Sequence, residues 1–141
     1  MNNKQVAHAF VIGAASGRAT NLYISDSRLY SYGQHYCLAA WGDDSRWISG
    51  KTLFVACRPY SVTTAHHRSL VCAAACKERV RIVDVYDPAA PVAENLRWYD
   101  EQEAALQQRI TRARTESNRN FYTEELERLK RDRAIYESFT H

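Results

Sequence analysis

The stretch NLYISDSRLYSYG, residues 21–33, predicts a β-hairpin and, with it, a sheet in the first part of the chain. Leu22 and Ile24 alternate with aromatic and polar neighbours, which is the period of a half-buried strand. Asp26-Ser27 is typical of a tight turn, and the alternation resumes after it.

Apolar runs that follow this hairpin extend the predicted sheet. They are HYCLAAW (35–41), a second hairpin made of residues 47–48 and 51–57, and RVRIVDVYD (79–87). A turn is predicted at GDDS (42–45), between the first of these runs and the second hairpin.

Two helices are predicted among these strands. NKQVAHAFVIG (3–13) forms a short helix capped by Asn3, and the small polar residues after it form a loop up to residue 21. A longer helix begins near Tyr60, with Ser61 or Thr63 as its cap, and runs to about Lys77. Its small residues are expected to face the sheet and to allow close approach: Ala65, Ser69, Cys72, Ala73 and Cys76.

Two amphipathic helices are predicted after the linker DPAAP (87–91). Polar residues at 117–120 separate two apolar stripes, and only Glu103 interrupts the first stripe. Such helices form an antiparallel hairpin, which we expect to pack on the sheet or partly against a second copy, as a homodimer. The stripes consist of Leu96, Tyr99, Leu106, Ile110 and Ala113, then Tyr122, Leu126, Leu129 and Tyr136.

The expected fold class is therefore α+β. We expect an antiparallel sheet of four to six strands with one packed helix, followed by a C-terminal two-helix hairpin. Residues 1–90 form the mixed α/β core, and residues 91–141 form the hairpin, which is expected to pack on the same domain.

Composition bounds the class of protein. A chain of 141 residues can bury a core of its own, and it contains neither a membrane span nor a signal peptide, so a cytoplasmic location is expected. Its four cysteines are then expected to be reduced thiols in the core. The net charge of +3 combines +4 in residues 1–90 with −1 in residues 91–141.

Two runs rich in tyrosine and histidine are the candidate binding site. YSYGQHY (30–36) follows a strand, and RPYSVTTAHH (58–67) leads into a helix whose free N–H groups favour anions. The candidate binding residues are Tyr32, His35, Arg58, Tyr60, Thr63, Thr64, His67, Arg79 and Arg81. The same residue types are also ordinary in strands and helix caps, so the pattern favours a structural role for them over a phosphate-binding surface or catalysis.

A catalytic alternative uses four of these residues, and no cofactor is expected in any of the alternatives. His35 and His67 could act as general acid and base in metal-independent RNA cleavage, with Arg58 and Tyr60 beside them. The sequence has no CxxC, HExxH, phosphate-loop, GxGxxG or GxSxG motif, so no metal site is predicted and a standard hydrolase or dinucleotide enzyme is disfavoured.

Arginines accumulate around the predicted hairpin turn. Arg109, Arg112, Arg114 and Arg119 belong to the first hairpin helix and the turn, and acidic residues are interleaved with the basic ones along both helices. A solvated face with salt bridges and a contact to RNA or DNA are both compatible with this pattern.

Three motifs, VAHAF (6–10), YSYGQHYCLA (30–39) and RPYSVTTAHH (58–67), each contain a histidine. With Glu94-Asn95-Leu96 and the aromatic C-terminal helix, they resemble a family of small, mostly uncharacterised bacteriophage and mobile-element proteins that carry YSYGxH and YSVTTxxH motifs. The resemblance implies a phage or mobile-element origin and a place in the cytoplasm of the host bacterial cell, but it supplies no activity.

Three functions are compatible with these observations. The first is non-catalytic binding to a host protein or ribonucleoprotein, such as anti-CRISPR-like inhibition of a bacterial defence nucleoprotein. The second is a nucleic-acid-binding module that contacts RNA or DNA through Arg58, Arg79, Arg81 and the tyrosine-rich strands. The third is the small ribonuclease built on His35 and His67.

Overall fold

The computed structural model describes residues 1–31, 36–42, 51–58 and 61–140. The chain divides into two compact units, Met1–Ala89 and Ala90–His141. Among the described residues, no helix is both long and apolar enough to cross a membrane.

The first unit is a six-stranded sheet with two helices. The strands lie in sequence order across the sheet; β1 to β5 are antiparallel neighbours, whereas β6 is parallel to β5. The predicted α+β class is therefore confirmed. The elements are α1 (Asn3–Val11), β1 (Ser16–Arg18), β2 (Leu22–Ser25), β3 (Arg28–Ser31), β4 (Tyr36–Trp41), β5 (Thr52–Ala56), α2 (Val62–Lys77) and β6 (Arg81–Val85).

The hairpin predicted from residues 21–33 is formed by β2 and β3. Asp26 lies at the turn with φ 57°, a left-handed conformation that aspartate tolerates better than most residues. Tyr23 and Tyr30 are paired across the two strands, and their ring centroids are 5.3 Å apart.

Two features of the sheet correct the sequence prediction. The segment predicted as a loop contains the edge strand β1, which is too short and polar to show a period of two. In addition, the sheet is mixed rather than antiparallel, because α2 connects β5 to β6 and a helical crossover is what a parallel pair requires. Residues 47–48, predicted as a strand, and 43–45 of the predicted turn lie outside the described residues.

Helices α1 and α2 pack against each other and cover one face of the sheet. Phe10 of α1 and Val71 of α2 are fully buried, as are Leu53 and Val55 of β5, the strand next to the edge strand β6. Together with the other core residues of the sheet they form one continuous apolar cluster.

The face of α2 that packs inward differs from the predicted small-residue face. The buried residues are Thr64, His67, Val71 and Ala75, whereas Ala73 and Cys76 are exposed. The buried row follows the helical period and includes the larger side chains, which bury more apolar area than alanine or cysteine. The predicted packing face was therefore wrong.

The amino-terminal cap also corrects the prediction by one residue. Asn2, not Asn3, caps α1: its side chain accepts a 2.8 Å hydrogen bond from the N–H of Gln5, and the Gln5 side chain accepts one from the N–H of Asn2. This reciprocal pair is a capping box. It leaves the side chain of Asn3 available to contact α2.

The second unit is the predicted pair of helices, α3 (Val92–Arg112) and α4 (Glu116–Phe139). The break predicted at residues 117–120 is wrong, since α4 already includes them and the turn falls at 113–115. Thr115 caps α4 by accepting a 3.1 Å hydrogen bond from the N–H of Asn118. Polar residues at 117–120 are accommodated because that part of the helix is exposed.

Contacts between α3 and α4 explain why a charged residue, Glu103, interrupts the first apolar stripe. Glu103 forms an ion pair with Arg133 of α4, and Asp100 accepts a 2.7 Å hydrogen bond from the same guanidinium. The stripe continues with Tyr99 and Tyr136, whose ring centroids are 5.9 Å apart. Ion pairs of Arg133 thus join the two helices, together with a 3.0 Å hydrogen bond from the buried Asn95 side chain to the hydroxyl of Tyr136.

Candidate functional site

His67, a candidate in both the binding and the catalytic hypotheses, lies inside the first unit. Its side chain points inward from α2 and is 1% exposed. Its Nδ1 is 2.9 Å from the hydroxyl of Ser31 on β3, and its Nε2 is 3.3 Å from the side-chain amide of Asn3 on α1. The imidazole thus connects three elements of the fold.

The surroundings of His67 favour its neutral form. Burial lowers the pKa of His67 below its ordinary value of 6.5, and the neighbouring His66 lowers it further. A buried neutral imidazole with partners at both nitrogens is a structural polar group. This geometry supports the structural alternative for His67.

The other candidates near the start of α2 are divided between surface and interior. Thr63 is exposed in the first turn, whereas Thr64 is only 4% exposed. Tyr32, His35 and Tyr60 lie outside the described residues. Their part in the binding and ribonuclease hypotheses stays a prediction.

Arg58 is held at the carboxyl end of β5 by contacts on two sides. Its guanidinium lies 3.8 Å from a carboxylate oxygen of Asp87 and 4.3 Å from the ring centroid of Tyr36. The hydroxyl of Tyr36 donates a 3.1 Å hydrogen bond to the carbonyl of Arg58. The arginine therefore has local partners that orient it.

Arg79 and Arg81 lie at the opposite end of the same parallel pair of strands. Arg81 donates a 2.9 Å hydrogen bond to the hydroxyl of Thr52, and Arg79 adopts φ 58° in the turn before β6. The N–H of Arg58 donates to the carbonyl of Tyr86, beyond the far end of β6. Five residues of strand span about 16 Å, so the three arginines of the predicted nucleic-acid surface do not form one cluster.

An ion pair that the sequence analysis did not predict, between Arg68 and Asp84, connects α2 to the sheet. Arg68 donates a 2.7 Å hydrogen bond to Asp84 of β6 and a 3.0 Å hydrogen bond to the carbonyl of Ala56 in β5. Asp84 follows Ile82 on the helix side of β6, where an apolar side chain is expected, and this was the available signal. A carboxylate on the covered face of a sheet loses contact with water, so it needs a cationic partner on the helix that covers it.

The cysteines span the range from core to surface. Cys37 is buried, Cys57 and Cys72 are half-buried, and Cys76 is exposed, so the prediction of four core thiols was wrong for Cys76. Burial raises the pKa of Cys37 and of Cys57 to about 12. Within the described ranges, no three histidine, cysteine, aspartate or glutamate side chains are grouped so that they could hold a metal ion.

A groove of about 460 Å³ opens between α1 and α2 on their outer side. Leu70, Ala73 and Ala74 of α2 form its apolar floor. Lys4 of α1 and Lys77 of α2 contribute cationic side chains to its rim. We call this feature the α1–α2 groove.

A second cleft, of about 540 Å³, lies where α3 turns into α4. Arg109 and Arg112 from the last turn of α3, Arg114 from the connection, and Asn118 and Tyr122 from α4 line it. We call this feature the hairpin-end cleft. Its cationic lining was visible in the sequence as a cluster of arginines, but the position of Tyr122 beside them was not.

Comparison of the chain with protein-family models, with curated proteins and with solved structures gave no match. The buried histidine, the α1–α2 groove and the hairpin-end cleft are therefore the observations that bear on function.

Proposed function

We propose that this protein acts by non-catalytic binding to a host macromolecule, and that it docks an acidic, amphipathic helix of a host protein in the α1–α2 groove. The observation that carries the proposal is the combination of an apolar floor and a lysine rim in one groove between two helices. The buried position of His67 supports binding over the ribonuclease alternative.

The shape of the groove suits a helical occupant. Two helices packed side by side leave a furrow between their outer ridges, and a third helix can lay its apolar ridge into such a furrow. Leu70, Ala73 and Ala74 offer small and aliphatic contacts there, so leucine-sized side chains can enter between the helices.

The charge of the groove specifies the flanks of that occupant. Lys4 of α1 and Lys77 of α2 both line the groove, and both are exposed. His8 also lines the groove, but its Nε2 is 3.2 Å from the carboxylate of Glu78. The two lysines are therefore the permanent cations of the groove. Acidic residues on both sides of an apolar stripe complement this arrangement.

The biological setting of the proposal comes from the resemblance of the sequence motifs to phage and mobile-element proteins. In that setting the protein acts in the cytoplasm of a host bacterial cell, and the docked helix belongs to a component of a defence nucleoprotein. The protein would then be an anti-CRISPR-like inhibitor. Self-association through the helical hairpin, as a homodimer, stays a prediction that light scattering of the purified protein tests.

The test compares groove variants in capture and reconstitution. Tagged wild-type protein, the double variant Lys4→Glu/Lys77→Glu and the control Lys130→Glu, which reverses an exposed lysine of α4, are incubated with nuclease-treated host lysate. A captured protein is then purified, and its affinity for each form is measured by titration calorimetry. We expect the double reversal to weaken binding about tenfold or more and the control to leave it unchanged.

Two results would overturn the proposal. One is a captured protein whose affinity is the same for the wild type and the groove variant. The other is loss of all captured protein on nuclease treatment, which would favour the nucleic-acid-binding module instead. Circular dichroism of each variant establishes that a loss of binding is not a loss of fold.

A further inference from the structure

The hairpin-end cleft brings together three arginines, Arg109, Arg112 and Arg114. Within the described part of the chain, no carboxylate oxygen lies within 4.0 Å of Arg109, Arg112 or Arg114. By contrast, Arg128 and Arg133 of the same hairpin both form ion pairs. Arg97 and Arg131 of the hairpin likewise form none of the ion pairs of the described residues, so what distinguishes the cleft is that three such arginines share one lining.

Local structure explains only part of this cluster. Arg109 and Arg112 lie three residues apart in the last turn of α3, where positive side chains interact favourably with the carboxyl end of the helix. Arg114 lies beyond the end of α3 in the connection, so the helix dipole does not account for it. Three guanidinium groups around one cleft repel one another unless an anion lies between them.

The chemistry of the cations points to phosphate. A guanidinium is a planar, permanently charged donor that binds phosphate oxygens in pairs, whereas it gains little from an isolated exposed carboxylate. Asn118 adds a polar side chain to the same lining. A cleft of about 540 Å³ has room for a phosphodiester together with part of a sugar or base.

One aromatic side chain in the lining of the cleft, Tyr122, and another next to it outside the lining, Phe121, narrow the class of ligand further. The ring centroid of Tyr122 is 5.9 Å from the guanidinium carbon of Arg109. Next to it, Phe121 is 58% exposed, and the two ring centroids are 5.6 Å apart. An exposed phenylalanine beside a cationic cleft is the combination with which proteins stack the bases of single strands while holding their phosphates.

We propose that the hairpin-end cleft binds the sugar–phosphate backbone of single-stranded nucleic acid, with a base stacked on Phe121. This site lies in the second unit, and the proposal does not rest on the α1–α2 groove. It gives the protein a direct contact with nucleic acid, through residues other than those of the predicted nucleic-acid surface on Arg58, Arg79 and Arg81.

Fluorescence anisotropy with labelled oligouridine and oligodeoxythymidine of about 12 nucleotides tests the proposal, and a duplex of the same length is the comparison. Each phosphate that the arginines neutralise lowers the slope of log K against log salt concentration by about 0.7 for single strands, so the slope is expected to lie between about −0.7 for one phosphate and about −2 for three. We expect the triple variant Arg109→Gln/Arg112→Gln/Arg114→Gln to abolish this slope. We expect Phe121→Ala to weaken binding about tenfold.

Matched controls separate a specific site from general positive charge. Arg128→Gln removes an arginine of α4 in the same hairpin that is paired with Glu125, and it should change the affinity less than about twofold. Lys4→Glu/Lys77→Glu, the groove variant, should leave oligonucleotide binding unchanged, so that failure of either proposal is seen separately.

Three outcomes would overturn the inference. They are an absence of binding to either oligonucleotide at low salt, an equal loss in the triple variant and in Arg128→Gln, and binding of duplex as tight as that of single strands. Preference between oligouridine and oligodeoxythymidine then distinguishes RNA from DNA as the natural ligand. Helicity of each variant, measured by circular dichroism, shows whether the hairpin is intact.

Discussion

Replacing His67 with alanine removes a side chain that connects α1, α2 and β3. The imidazole is 1% exposed, and its partner Ser31 is 0% exposed. A buried hydroxyl without a partner costs about 1–3 kcal/mol, and the cavity left by the ring costs about 2 kcal/mol or more. We therefore expect His67→Ala to lower the free energy of unfolding by about 3–5 kcal/mol, a large share of the stability of a typical domain.

Urea unfolding followed by circular dichroism measures this loss directly. His66→Ala is the matched control, since His66 is the exposed neighbour on the same helix and such substitutions change stability by about 0.5 kcal/mol at most. Ser31→Ala/His67→Ala removes both partners, so it should be less destabilised than the sum of the two single variants. A loss below about 1 kcal/mol for His67→Ala, or an equal loss for His66→Ala, would refute the structural role.

The same measurement bears on the ribonuclease alternative. If His67 were a general acid or base, His67→Ala would abolish RNA cleavage and leave the stability nearly unchanged. The hydrogen bonds at both ring nitrogens predict the opposite, a fold that is weakened whether or not any cleavage is observed.

Three further predictions concern pH, an ion-pair network and the thiols. Because burial holds the pKa of His67 below 6.5 in the folded state, only the unfolded chain gains this proton at first as the pH falls. Urea unfolding should therefore show stability decreasing as the pH drops below about 6.5, and less so in His67→Ala. Arg133→Met, which removes the partner of Glu103, should lower the free energy of unfolding by about 1–2 kcal/mol, with a smaller effect in high salt. Mass spectrometry after iodoacetamide treatment should show the exposed Cys76 modified well before Cys37, whose pKa burial raises to about 12.

Periodicity in the sequence was sufficient for most of the fold. The alternation at residues 22–31 predicted β2 and β3, and the hydroxyls before a helical pattern predicted a cap at Ser61 or Thr63, of which the structure has Ser61. The parallel pairing of β5 with β6 was missed, because strand direction depends on the crossover and leaves no mark on the strand itself. The turn of the hairpin was misplaced because polar residues are common both in turns and in exposed helix starts.

The candidate site was harder to predict than the fold. The burial of His67 had a signal, since Val71 and Ala75 follow it at spacings of four on the inward row of α2. The α1–α2 groove had no signal in the sequence of either helix alone, because the groove depends on which faces of the two helices pack together. Separating Arg58 from Arg81 likewise required the register of β5 with β6.

The two proposed surfaces differ in a way that bears on the kind of target. Lysines around an apolar floor act as point charges that suit scattered carboxylates, whereas arginines beside an aromatic ring suit the planar geometry of phosphates and bases. A target that offers both an acidic helix and a single strand is a nucleoprotein. For such a target the two sites would act as linked modules. The groove variant should then reduce binding to the nucleoprotein by more than it reduces binding to the host protein alone, and the cleft variant by more than it reduces binding to the nucleic acid alone. A purified host protein without its nucleic acid, or the nucleic acid alone, would then bind more weakly than the assembled particle.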